Sequence, residues 1–191
     1  MFKRYLLLFL MVLSFSAIGQ ERIEYDNRQL KRSLKKMEAG NYEKLKEMEI
    51  AALEESNGNV KGKFFEVPES NNVSQIRYIY VGRVNSCRTG GCSVSGPSGK
   101  QSFDSEFFDY FIMYDAEARI VDVRVYNYEA THGYEITSRG WLNQFDEYQG
   151  NKELKVSKNV DAISGATVSV HAITDDIIRK TQLIKEEVIS N

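Results

Sequence analysis

Asp161-Ala162-Ile163-Ser164-Gly165-Ala166-Thr167-Val168-Ser169 is the most informative stretch of this 191-residue chain. Ser164 and Thr167 place hydroxyls on either side of a Gly-Ala turn, and a helical pattern follows from about Val170 to Val188. Ser and Thr at such a junction act as N-caps, because their side-chain oxygens accept amide protons that the first helical turn leaves unpaired. Those same amides, together with the helix dipole, attract phosphate to a helix start. Two readings therefore stand side by side. One is a plain cap. The other is a threonine hydroxyl held where a phosphate ester formed on it would be stabilised.

Working outward, the helix after the motif carries Ile173, Ile177 and Ile184 on one apolar face. Upstream, the pattern is that of strands. Lys63–Val67 reads as a short strand and Ile76–Val84 as a longer one. Phe107–Tyr114 and Arg119–Tyr128 read as a hairpin around Asp115-Ala116-Glu117-Ala118, with Val121, Val123 and Val125 expected on one face. A short helix is expected from about Ser138 to Phe145, and a polar segment, Asp146 to Asn159, leads to the motif. The fold class is α+β: an antiparallel sheet flanked by helices, with an N-terminal helical segment and a C-terminal helix after the motif.

The N-terminal segment, residues 20–58, is charge-rich. Leu30, Leu34 and Met37 fall at helical spacing, as do Leu45, Met48 and Ala52, and Gly40-Asn41 interrupts them. The reading is two helices or one kinked helix, each with a narrow apolar stripe that must pack on something. After Asn57-Gly58-Asn59 the strand pattern begins, so residues 59–191 are read as one domain.

Residues 1–19 read as a secretory signal peptide. Met1-Phe2-Lys3-Arg4 is a positive n-region, Tyr5 to Phe15 is an apolar h-region, and Ala17-Ile18-Gly19 offers small residues for cleavage before Gln20. The apolar run falls short of the roughly 20 residues a bilayer-spanning helix needs. An uncleaved anchor is the alternative. No cysteine follows the cleavage site, so a lipid anchor is not indicated. The expected compartment is the periplasm or the exterior. Loss of Lys3 and Arg4 takes the formal charge from −2 to −4, ordinary for a soluble domain and no basis for nucleic-acid binding.

Cys87 and Cys92 bracket Arg88-Thr89-Gly90-Gly91. In an exported chain such a pair reads first as a disulfide that shapes its loop; a redox-active dithiol is the alternative. No second pair of soft ligands supports a zinc site, and the Cys-x-x-Cys-His of a c-type haem is absent. His132 and His171 show no pairing with a carboxylate or serine that would suggest hydrolysis. The glycines at 90, 91, 96 and 99 do not sit in the strand-turn-helix setting of a nucleotide-binding fingerprint.

The run Asp-x-x-Ser-Gly-Ala-Thr-x-Ser resembles the flavinylation motif of the FMN-binding domain family, which includes the C subunit of the sodium-pumping NADH:quinone oxidoreductase and the G subunit of the Rnf complex. The resemblance spans about Tyr78 to Lys185. It implies that a flavin transferase moves FMN from FAD onto Thr167 as a phosphoester. It implies too that Asp161, Ser164, Gly165, Ala166 and Ser169 belong to the segment that is recognised. Tyr128-Glu129-Ala130-Thr131-His132-Gly133-Tyr134-Glu135 lies where larger relatives carry a Glu-Thr-Pro-Gly-type loop near the isoalloxazine, so Glu129, Thr131 and His132 become candidate flavin contacts. Here the proline is absent and His132 precedes the glycine. Trp141-Leu142 and Phe145 also look like the family. The implied function is extracytoplasmic electron transfer by covalently bound FMN, with a redox donor and acceptor that the sequence does not name. A membrane electron-transfer complex is one candidate partner. Such a protein is an electron carrier rather than a stand-alone enzyme. Two alternatives come from other classes: a flavin-free binding protein of the same fold, and a thiol-disulfide redox protein using Cys87 and Cys92.

Overall fold

The computed structural model describes residues 22–50, 62–68, 74–88 and 105–190. The signal-peptide reading of residues 1–19, Ala52, the Asn57-Gly58-Asn59 boundary and Cys92 lie outside the described residues. Among the described residues, five strands form one antiparallel sheet in the order β1-β2-β3-β4-β5. They are β1 (Lys46–Met48), β2 (Gly62–Glu66), β3 (Tyr78–Arg88), β4 (Ser105–Tyr114) and β5 (Ile120–Tyr128). Helix α1 (Arg28–Lys36) covers one face, and the long α3 (Thr167–Ser190) covers the other. The short α2 (Arg139–Leu142) continues as a 3₁₀ turn, Asn143–Phe145. The class is α+β, as the sequence pattern implies. No described helix is long and apolar enough to cross a membrane.

The central strand β4 shows why two layers form. Its side chains alternate across the sheet. Phe108, Tyr110, Ile112 and Tyr114 join Val170, Ile173, Ile177 and Ile184 of α3 in one buried cluster. Phe111 and Met113 join Leu30 and Leu34 of α1 in the other. Both faces of β4 are covered, which is why it reads as a nearly unbroken apolar run. Helix α1 is fixed at its start by Asn27, whose Oδ1 accepts from the Leu30 N–H at 2.8 Å.

The helical reading of Leu45, Met48 and Ala52 is corrected. After a 3₁₀ turn at Tyr42–Lys44 the chain enters β1, whose register with β2 pairs Lys46 with Glu66 and Met48 with Phe64. Leu45 packs with the α1 cluster, whereas Met48 and Ile50 belong to the α3 cluster. Alternation explains that split and a helix does not: a three-residue step looks helical by spacing but crosses to the opposite face in a strand.

The hairpin between β4 and β5 forms where expected. Asp115 Oδ1 accepts from the Glu117 and Arg119 amides at 3.0 and 2.8 Å, the side-chain turn that makes Asp a good loop residue. The expected common face of Val121, Val123 and Val125 is only partly realised. Val123 and Val125 face α3, but Val121 packs towards α1. The register steps from Tyr114↔Ile120 to Met113↔Asp122, so Val121 is the extra residue of a bulge. A second bulge follows. Tyr110 pairs with Val125 and Asp109 with Asn127, which leaves Tyr126 extra. Tyr126 stacks on Phe111 on the α1 side, and Tyr128 lands on the α3 side, where it stacks on Phe108.

Candidate functional site

The motif folds as a turn feeding α3. The Ala166 N–H donates to the Ile163 carbonyl at 3.1 Å across Ser164 and Gly165, and Gly165 has φ +80°. Positive φ at the third position of a four-residue turn is the type II pattern, which glycine adopts without strain. The first helical bond is Val170 N–H to Ala166 carbonyl, 2.9 Å. The amides of Thr167, Val168 and Ser169 thus precede the point where helical acceptors begin. Burial splits the turn in a regular way. Asp161, Ser164, Gly165, Thr167 and Val168 are exposed, whereas Ala166, Ser169 and Val170 are buried. A residue two along a helix points to the far side, so burying Ser169 turns Thr167 outward.

Asp161 is held through its backbone. Trp141 Nε1 donates to its carbonyl at 2.9 Å, and its N–H donates to Gln144 Oε1 at 2.7 Å. Gln144 Nε2 in turn donates to the Trp141 carbonyl at 2.7 Å. The tryptophan and glutamine of one short helical unit therefore grip the backbone of one residue on both sides of its Cα, and Asp161 is exposed.

The loop after β5 packs directly on the motif. Gly133 has φ +89°, and a Cβ on it would lie 2.7 Å from Ala166 Cβ and 3.1 Å from the Tyr128 hydroxyl. Only glycine meets both demands. His132 and Thr131 are exposed, as is Glu129. Two of these candidates are tied to β4 rather than to the motif. The Glu129 N–H donates to the Phe107 carbonyl at 2.9 Å, and the Thr131 hydroxyl donates to Glu106 Oε1. His132 joins the site through its carbonyl, which accepts from the Tyr128 hydroxyl. His171 is exposed one turn into α3.

Beneath Thr167 lies a row of hydroxyls that the motif alone does not reveal. Ser169 Oγ shares a 2.5 Å hydrogen bond with Ser86 Oγ of β3 and lies 3.3 Å from the Tyr128 hydroxyl. Burial pushes the Tyr128 phenol above its ordinary pKa, partly offset by Ser169, so it remains a donor at neutral pH. Beside it, Tyr134 meets Tyr128 edge-on, with centroids 5.6 Å apart, and is 69% exposed. Cys87 follows Ser86 at the end of β3; its side chain and its expected partner Cys92 lie outside the described residues, so the disulfide remains an expectation.

Residues 106–179 match the model of the FMN-binding domain family. This part of the chain is an FMN-binding domain. Its cofactor is FMN. The match runs from β4 into α3, so it contains the Glu129–Glu135 loop and the whole Asp161–Ser169 motif; β3, with Ser86, lies before it. No curated protein matches the chain.

The residues present in the FMN-binding domain suit a phosphorylated flavin. Thr167 is exposed at a start where the amides have no helical acceptors, the first turn of α3 carries no acidic residue, and nothing lies within 4 Å of a Cβ built on Gly165. Donors without competing carboxylates are the chemistry a phosphate needs. The exposed Tyr134 ring offers an aromatic surface beside them.

Proposed function

We propose that this FMN-binding domain carries FMN covalently on Thr167 and passes electrons outside the cytoplasm. The observation that supports this best is the exposed Thr167 in the first turn of a helix whose next buried residues lock it in place. A flavin transferase would supply FMN from FAD. The Thr167 Oγ–P bond forms, the P–O bond to AMP breaks, AMP leaves with the electron pair, and the hydroxyl proton goes to a base of the transferase. FMN supplies one- and two-electron chemistry, and the chain supplies tethering and orientation. Once tethered, the cofactor is not lost by dissociation, which suits an exported chain cleaved after Gly19. The donor and acceptor are then redox partners outside the cytoplasm, a membrane electron-transfer complex among them.

Coexpression of the full chain with a flavin transferase should give yellow protein whose colour survives denaturation and whose mass includes one FMN. Thr167→Ala should remove the adduct. Covalent flavin retained by Thr167→Ala would overturn the assignment. N-terminal sequencing of the exported material should start at Gln20; an intact Met1 in washed membranes would instead show an anchored protein.

A further inference from the structure

We infer that Tyr128 is a positioning residue for flavin transfer, acting with Ser86 through Ser169 to hold the Thr167 turn and the His132–Gly133 loop in one fixed relation; this rests on the reading of Thr167 as the attachment point.

The argument begins with proton counting. Tyr128 has one hydroxyl proton, and it goes to the His132 carbonyl. Towards Ser169 the phenol oxygen can then only accept, so Ser169 donates across the 3.3 Å contact. Ser169 has spent its single proton, so Ser86 must donate in the 2.5 Å bond between the two serines. The chain therefore has one direction: Ser86 to Ser169 to Tyr128 to the His132 carbonyl. Hydrogen bonds aligned in this way reinforce one another.

Each member belongs to a different element. Ser86 is on β3, Ser169 on α3, Tyr128 on β5, and His132 in the loop. Ser86 and Ser169 are 8% and 2% exposed, so water cannot easily replace either partner. The chain passes through Ser169, two residues from Thr167, and ends at the residue before Gly133. Gly133 packs so closely on Ala166 that a Cβ added to it would lie 2.7 Å from the alanine Cβ. The hydroxyl chain pulls the two segments together and the Gly133–Ala166 contact stops them, which sets their separation. Transfer requires the Thr167 oxygen to be presented in line with a phosphorus held by another protein, and displacements of an ångström are costly in such steps.

The test is single-turnover FMN transfer from FAD to the full mature chain by a purified flavin transferase, followed by mass and in-gel flavin fluorescence. Tyr128→Phe keeps the ring stacked on Phe108 and removes only the hydroxyl. It should slow the maximal transfer rate by about tenfold or more with little change in the chain concentration giving half-maximal rate. Ser169→Ala should do the same, and the double variant should be no slower than the worse single one, because both break one chain. Tyr114→Phe is the control: it removes a buried hydroxyl 3.4 Å from Thr181, on the same sheet and helix but away from the motif. It should transfer at the wild-type rate. Equal slowing in Tyr114→Phe would show a general stability effect and overturn the inference, as would wild-type rates in Tyr128→Phe and Ser169→Ala. If Tyr128→Phe does not fold, Ser86→Ala decides by the same rate. A wild-type chain that accepts no FMN fails the Thr167 reading itself, a result distinct from either of these.

Discussion

The two halves of α3 meet the same sheet in opposite ways. Towards its C-terminal half the helix buries charge. The Tyr110 hydroxyl donates to Asp176 Oδ2 at 2.6 Å, Lys180 Nζ lies 3.4 Å from Asp176 Oδ1, and the same ammonium sits 5.1 Å from the centre of the Tyr80 ring. Lys180 is 2% exposed. At its N-terminal end the helix has no charge in its first turn, and its buried polar contacts are neutral hydroxyls. Both ends use tyrosines of the sheet as partners. The difference lies in what is left over. The C-terminal cluster consumes its donors and acceptors internally, whereas the N-terminal end closes its hydroxyl chain below Thr167 and leaves the threonine and the first amides open. A helix can thus be anchored by polar groups at both ends and offer reactive groups at only one.

The strongest way to expose the closed half is alkaline pH. Burial raises the phenols of Tyr80 and Tyr110 well above their ordinary value, and raises Tyr114 as well. Above about pH 10 these tyrosines ionise in the unfolded chain and stay protonated in the folded one. The folded state then binds more protons, and stability falls as pH rises, by about 1.4 kcal/mol per pH unit for each tyrosine, so about 4 for the three. Lys180 works in the opposite sense and earlier. Desolvation lowers its pKa despite Asp176, so between that lowered value and its ordinary one the folded chain holds fewer protons and stability rises with pH. Urea unfolding across the alkaline range should show the fall, and Tyr114→Phe should remove one tyrosine's share of it, about 1.4 kcal/mol per pH unit. A slope unchanged by that variant would break the assignment.

Next in size is Asp176→Leu, which strands a buried ammonium and the Tyr110 hydroxyl together. A loss of about 3–5 kcal/mol is expected, and Asp176→Leu with Lys180→Met should recover most of it, since an apolar pair replaces a buried ion pair at little cost. Failure of the double variant to recover would mean that the pair contributes more than its own charge balance.

The smallest effect belongs to the open half. Thr167→Ala should change unfolding free energy by less than about 0.5 kcal/mol, as expected for an exposed site, while removing the flavin adduct completely. A large stability loss would mean that Thr167 serves chiefly as a structural cap, and would erase the contrast between the two halves.

What the sequence disclosed follows from the range of the interactions. The β4–β5 hairpin was legible because Asp115 and its neighbours form the turn by local bonds. The α3 face was legible because Ile173, Ile177 and Ile184 repeat at helical spacing. The turn and helix start at Thr167 were legible because the residues that form them are contiguous. Leu45 and Met48 misled because three-residue spacing has a meaning in both periodicities, and pairing with β2, a distant partner, decided between them. Val121 misled because a bulge shifts the alternation that placed it. Ser86 gave no signal at all: its partner lies 83 residues away, and a serine in a strand carries no periodic mark. Gln144 was equally silent, since its hold on Asp161 depends on how two loops dock.

The extra residue at Tyr126 has a consequence for how such a site is inherited. Tyr128 faces α3 because β5 contains one residue more than its partner strand requires at that point. Flattening that bulge with every residue of β5 kept would leave each site residue in place by name, yet restore even alternation from Val125 and swing the phenol to the α1 side of the sheet. The arrangement under Thr167 is therefore encoded in the parity of a strand as much as in the identity of its side chains. A relative could keep the full Asp161–Ser169 motif and still lose the hydroxyl chain if β5 paired without its bulge, far upstream of the motif.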